Sequence, residues 1–224
     1  MNRFISSTFI SIITLMNIPS FGQSDSLIYI GDPMCSWCYG FAPEVDRFLA
    51  DHKDLKLILV MGGLRINGTE KMSDLSSFLK THWEEVAHRS GRVFDYRILE
   101  SDFIYDTAPA SRAVVTTGKI APDKAWMYFK KLQEAFYAGG RNPLSEDTFA
   151  DIAEKCGIES QHFLASLRQM DTDEELLKQL NLASKMGVSG FPALLYQRSG
   201  KISMLSNGYT GYSQLKQKLD ILRK

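Results

Sequence analysis

The chain carries 224 residues, with 26 basic and 26 acidic side chains and an apolar fraction of 44%. That composition supports one packed core, or one core with an inserted subdomain, and excludes a disordered chain. The charge balance excludes a global field that would draw the protein to nucleic acid or to an anionic membrane, so partners must be recognised by local surface.

Residues 1–22 read as a secretory signal peptide. Met1-Asn2-Arg3 supplies a positive start, Phe4 to Ile18 a mainly apolar run, and Ser20-Phe21-Gly22 a small-x-small exit. Cleavage there leaves Gln23 first and places the mature protein in the periplasm or another oxidising compartment. Ser6, Ser7, Thr8 and Ser11 break the run, which falls short of the ~20 apolar residues that cross a bilayer. The mature form is therefore expected without a membrane segment; an uncleaved anchor and a cytosolic tail are the alternatives.

Leu27-Ile28-Tyr29-Ile30, ended by Gly31-Asp32-Pro33, predicts a buried strand that stops at a turn. Cys35 and Cys38 follow at once. Phe41, Val45, Phe48 and Leu49 then stand at helical spacing from Tyr39 to Asp51, so Cys35 is expected where a strand hands over to a helix. Leu55 to Met61 predicts a second strand, closed by Gly62-Gly63. This strand–helix–strand opening, residues 23–63, favours a parallel pair with a right-handed crossover.

Over residues 64–186 the texture turns to helix upon helix, and this stretch reads as an insert. Leu75, Phe78, Leu79, Trp83 and Val86 form one apolar stripe and Trp126, Phe129, Leu132 and Phe136 another, both expected in the core. Gly157 is expected to stop the helix carrying Cys156, and Asp171-Thr172-Asp173-Glu174 to open, as a capping box, a helix ending at Gly187. Strands return over residues 187–224: Ala193 to Tyr196 and Ile202 to Leu205, joined at Ser199-Gly200 as an antiparallel hairpin. A last helix, Tyr212 to Leu222, brings Leu215, Leu219 and Leu222 over the sheet. The expected class is α/β, in the order βαβ, large all-helical insertion, ββα.

Three cysteines are too few for a disulfide scaffold, and they occur as one close pair plus the isolated Cys156. Disulfide exchange needs a thiolate to attack and a second thiol to resolve the mixed disulfide. At a helix start, backbone N–H groups and the helix dipole stabilise a thiolate. Cys35 is thereby assigned as nucleophile and Cys38, one turn on, as resolving thiol. A C-x-x-C pair also occurs as half of a zinc site, or as a structural disulfide. His52, His82, His88 and His162 form no i, i+4 pair and Cys156 stands alone, so no metal is expected. Cys156 itself is expected as a buried, inert thiol, with a third redox partner as the alternative. Far downstream, Gly187 to Leu194 reads by itself as an ordinary loop–strand junction. Pro192 has no N–H to give a ladder and belongs at an edge or a tight turn, where a cis Phe191–Pro192 bond would suit.

Three stretches together resemble the DsbA-like branch of the thioredoxin superfamily, closest to the bacterial group described as predicted protein disulfide isomerases, with FrnE-like relatives. They are Asp32-Pro33-Met34-Cys35-Ser36-Trp37-Cys38-Tyr39-Gly40-Phe41-Ala42-Pro43, Leu132-Gln133-Glu134-Ala135-Phe136-Tyr137, and Gly187-Val188-x-Gly190-Phe191-Pro192. The resemblance implies a thioredoxin-like fold with a helical insertion and a helix-kinking proline at Pro43. It implies a protein thiol–disulfide oxidoreductase, in the oxidase or isomerase direction, with no cofactor beyond the redox-active Cys35–Cys38 disulfide. Pro192 should be the cis-proline facing the cysteines, with Phe191 offering backbone groups to an extended substrate segment. Trp37 is implied as an apolar substrate contact or a lid, and Ser36 as a hydroxyl beside the pair.

Better-known members carry Pro-His between the cysteines and a buried acid on the preceding strand; here Ser36-Trp37 and Tyr29 take those positions. Asp32 is the nearer acid, expected first as a turn cap and alternatively as an aid to proton transfer. Partners are expected to be protein or peptide thiols and disulfides plus a redox partner of unread identity, and the chain is expected to be a monomer. A glutathione-dependent kappa-type transferase or isomerase shares the inserted architecture, but those relatives carry Ser where Cys35 stands. A non-enzymatic DsbA-like adaptor is the remaining reading.

Overall fold

The computed structural model describes residues 25–224, and the signal-peptide reading of residues 1–22 lies outside the described residues. Strand β1 (Ser26–Gly31), helix α1 (Ser36–Asp51) and strand β2 (Lys56–Met61) form the opening unit, with β1 and β2 parallel and Tyr29 opposite Leu59. Six helices then intervene: α2 (Ser76–Ser90), α3 (Ala108–Ile120), α4 (Ala125–Tyr137), α5 (Glu146–Lys155), α6 (Ser160–Leu167) and α7 (Met170–Lys185). Strands β3 (Ala193–Arg198) and β4 (Lys201–Asn207) and helix α8 (Tyr212–Leu222) complete the chain. The sheet order is β2-β1-β3-β4, with β3 antiparallel to both neighbours. This is an α/β, thioredoxin-like fold with a helical insertion.

All six residues of β1 are buried, because this central strand is covered on both faces. Leu27 and Tyr29 point into the larger core with Phe41, Phe48, Leu215 and Leu219. Ile28 and Ile30 join a smaller core with Val60, Ala183, Met186 and Leu195, under α7. At the hairpin, Ser199 (φ 49°) and Gly200 (φ 78°) are both left-handed, the backbone that matches the right-handed twist of two paired strands.

Within the insertion, Leu79, Trp83 and Val86 are buried on one face of α2, and Trp83 meets the rings of Phe94, Phe136 and Tyr137. Phe78, expected on the same stripe, is instead 62% exposed, with its ring edge on His82. It lies one residue, and so about 100° of helix, away from Leu79. Trp126 is only half-buried, because its indole N–H donates to Asp46 of α1 at 2.7 Å.

The helix stop at Gly157 has the expected geometry: with φ at 70°, its N–H donates to Glu154 and that of Ile158 to Ala153, which satisfies two terminal carbonyls of α5. The expected capping box at Asp171 is not formed. Helix α7 begins already at Met170, which places Asp171 and Asp173 in its first turn. There they favour the positive helix end and pair with Lys119 (2.5 Å) and Arg112 (3.0 Å) of α3, while Thr172 donates to the Ser166 carbonyl.

A buried carboxyl group also clasps the opening unit to the insertion. Asp32, in the β1–α1 turn, is fully buried. Its Oδ1 accepts the Met34 N–H and its Oδ2 the Leu64 N–H, both at 2.8 Å, and the hydroxyls of Ser111 and Thr107 on the α3 side also donate to it. Burial pushes this carboxyl up to about 6, and those donors only partly oppose it. A carboxyl raised above its unfolded value of 3.8 contributes stability below that value and loses it as pH rises through about 6.

Between pH 4 and pH 7.5, wild type should therefore lose about 2.5 kcal/mol of unfolding free energy relative to Asp32→Asn, a difference read from urea unfolding at the two pH values. Trp83→Ala should remove about 3–5 kcal/mol at any pH, since it empties the centre of the aromatic cluster; the urea midpoint falls with its slope unchanged.

Candidate active site

Cys35 is the N-cap of α1, extended at φ −93° and ψ 115°, and its Sγ accepts the Cys38 N–H at 3.3 Å. Its own N–H is tied to the Asp32 carbonyl at 3.1 Å, so the sulfur is held at the mouth of the helix. Both cysteines are free thiols. They differ in access: Cys35 is 4% exposed, whereas Cys38 is completely buried. Burial pushes the Cys38 thiol well up, helped by the neighbouring Cys35, against hydrogen bonds from the Asp32 backbone and the Tyr29 hydroxyl that act to lower it. The stretch between the cysteines is half-buried: Ser36 opens α1, and the Trp37 ring lies 6.1 Å from that of Tyr209. Pro43 sits inside α1.

From the far end of the chain comes the opposite wall. The Phe191–Pro192 bond is cis, and the Phe191 carbonyl faces Cys35 with a sulfur–oxygen distance of 3.6 Å. Two glycines make room for the close packing around the pair. A Cβ on Gly62 would meet the Phe191 ring at 2.1 Å, so the ring rests on bare backbone at the end of β2. A Cβ on Gly31 would meet the Tyr29 ring at 2.5 Å and Cys38 Sγ at 3.0 Å.

The structure thus brings together Asp32, Cys35, Cys38, Phe191 and Pro192, with Ser36 and Trp37 on the rim. Cys156 lies elsewhere: it caps the end of α5 beside Tyr128, Lys124 and Lys131, and burial pushes its thiol up. Among the described residues no group of three or more His, Cys, Asp or Glu could hold a metal ion.

Sequence reasoning missed a set of buried tyrosines behind the pair. Tyr105 donates to the Met34 carbonyl at 2.7 Å, and Tyr39, stacked on Tyr137 at 4.9 Å, donates to the Val93 carbonyl at 3.1 Å. Burial pushes the hydroxyls of Tyr29, Tyr105 and Tyr137 up, so they stay neutral around the sulfurs. No spacing rule links Tyr105 or Tyr137 to Cys35; only Tyr29 had a signal, through its place on the strand before the pair. Chemically, the arrangement offers one sulfur at the helix mouth, a more deeply buried sulfur one turn away, and a carbonyl that faces the outer sulfur.

The family model of the DSBA-like thioredoxin domain matches residues 29–220. No curated protein matches the sequence. Among solved structures, a candidate protein disulfide isomerase from Nitrosomonas europaea is 30% identical, with 89% of this chain and 98% of that one covered and a TM-score of 0.83. The cytosolic disulfide reductase DsbM from Pseudomonas aeruginosa is 21% identical over 88% of this chain and 98% of its own, with a TM-score of 0.75. A 2-hydroxychromene-2-carboxylate isomerase is 17% identical over 88% and 96%, with a TM-score of 0.66. At those last two identities the likeness is one of fold alone. The chain belongs to the DsbA-like thioredoxin family, whose members are thiol–disulfide oxidoreductases.

Proposed function

We propose that this protein exchanges disulfides with protein or peptide thiols through Cys35 and Cys38, in the oxidase or isomerase direction. The observation that carries the reading is the placement of the Cys35 sulfur at the mouth of α1, between the N–H of Cys38 and the Phe191 carbonyl, with a second, fully buried thiol one turn away. The Cys35 thiolate attacks a substrate disulfide R–S–S–R′, forming Cys35–S–S–R and releasing R′–S⁻, which takes up a proton. Cys38 then attacks Cys35 Sγ, the bond to R breaks, and the pair is left oxidised with the substrate reduced by two electrons. Run backwards, the same steps place a disulfide in a substrate dithiol. If a second thiol of the substrate reclaims R before Cys38 reacts, the result is isomerisation.

Trp37 and the Phe191 backbone are assigned to the substrate, because they flank Cys35, and Asp32 to holding the turn. The reaction draws on no cofactor beyond the pair itself. Export is inferred from the signal-like stretch Met1 to Gly22. The oxidising or isomerising direction is supported by that export and by the description of the Nitrosomonas europaea relative.

A redox titration of the purified chain against glutathione, with thiols trapped and Trp37 fluorescence followed, should show one reversible two-electron transition. A pair that never re-forms its disulfide would leave a binding-only adaptor as the better reading. Cys35→Ser should bring disulfide exchange down to the uncatalysed rate, whereas Cys38→Ser should keep the first attack and accumulate a stable mixed disulfide at Cys35, visible as an added mass. Activity that survives Cys35→Ser would point to glutathione transfer or isomerisation on this fold.

A further inference from the structure

Resolution of the mixed disulfide requires a thiolate at Cys38, and that sulfur has no access to water. No cation is among the groups acting on it. Behind Cys38, on β1, stands Tyr29, whose ring is locked against Phe41, Trp126 and Phe129 at centroid distances of 6.2, 5.0 and 5.8 Å. The bare backbone of Gly31 lets that ring and Cys38 Sγ close on each other, for a Cβ there would strike both. The Tyr29 hydroxyl donates to the Cys38 carbonyl at 3.4 Å, and the Tyr29 ring edge and Cys38 Sγ both border the bare Gly31 backbone. A phenol has one hydrogen to give, and at 3.4 Å its bond to the carbonyl is long and readily surrendered.

Building on the exchange reading, we propose that Tyr29 is the positioning residue of the resolving step, turning its hydroxyl hydrogen from the Cys38 carbonyl to Cys38 Sγ as charge develops there. In that step Cys38–SH and Cys35–S–S–R become Cys35–S–S–Cys38 and R–SH. The sulfur–sulfur bond to R breaks, the bond between the two cysteines forms, and the proton lost by Cys38 ends on the departing thiol. Tyr29 keeps its own hydrogen throughout; it stabilises the anion without accepting the proton. A charge-assisted bond to a desolvated sulfur is worth roughly a tenfold change in thiolate population.

The test loads Cys35 with one equivalent of 2-nitro-5-thiobenzoate as a mixed disulfide and follows release of the coloured thiol as a function of pH. Tyr29→Phe, which keeps the ring and its packing, should slow release about tenfold and move the pH profile up by about one unit. Alkylation of Cys35 by iodoacetamide, measured in the Cys38→Ser background, should change by less than about twofold, since the first attack does not use Tyr29. Release and a pH profile equal to those of wild type would overturn the inference. Should Tyr29→Phe not fold, 3-fluorotyrosine at position 29 carries the same test, because its more acidic hydroxyl moves the profile down in pH; an unmoved profile overturns the inference again. Wild type that retains the label and forms no Cys35–Cys38 bond would overturn the exchange reading itself.

Discussion

Everything at the sulfur pair depends on a carboxyl group that never reaches solvent. Asp32 gathers the N–H of Met34 in its own turn, the N–H of Leu64 beyond β2, and the hydroxyls beside α3. Three separate pieces of chain are thereby fixed around one atom pair, and a buried group with so many donors defines position sharply, because each donor left unpaired would be costly. Cys35 inherits its place from this joint through the Asp32 carbonyl. A helix start that wandered by an ångström would present its sulfur at the wrong angle to both Cys38 and Phe191.

The division of labour between two chemically identical residues then comes from depth alone. Cys35 sits at the mouth of α1 and Cys38 one turn inside, against Tyr29 and Gly31. Burial raises the inner thiol and so favours its protonated form. The same burial obliges the protein to supply hydrogen-bond donors where water cannot go. The neutral tyrosines behind the pair give the region polarity without adding a charge that would have to be neutralised.

Much of this could be read from the residues in order. The strands, the cysteine-bearing turn, the helical insertion and the final hairpin all announce themselves through local periodicity and turn chemistry, as with Ser199-Gly200 or the run from Leu27 to Ile30. What local patterns misplace is orientation around a helix. Phe78 and Leu79 are neighbours on the chain but fall on different faces, and only the packing of Trp83 decides which is inside. Likewise the acids at Asp171 and Asp173 look like a cap until Lys119 and Arg112 arrive from another helix. The cysteines and the cis-proline were legible as a combination, whereas Tyr105 and Tyr137 were not, because their relation to Met34 and Tyr39 exists only after the insertion has folded back.

The contact between Cys35 and Phe191 spans 156 residues of chain. Closing so long a loop is entropically slow to begin, and β3 must pair with β1 before the Phe191 carbonyl has a place to stand. A chain emerging from the amino end therefore exposes its reactive sulfur well before it owns the wall that selects what that sulfur meets. Cys156 lies on the chain between Cys35 and Phe191, so a chain made in order presents a third thiol before that wall exists. The all-helical insertion has local contacts to fold on, and the completed fold buries Cys156 at the end of α5, away from the pair.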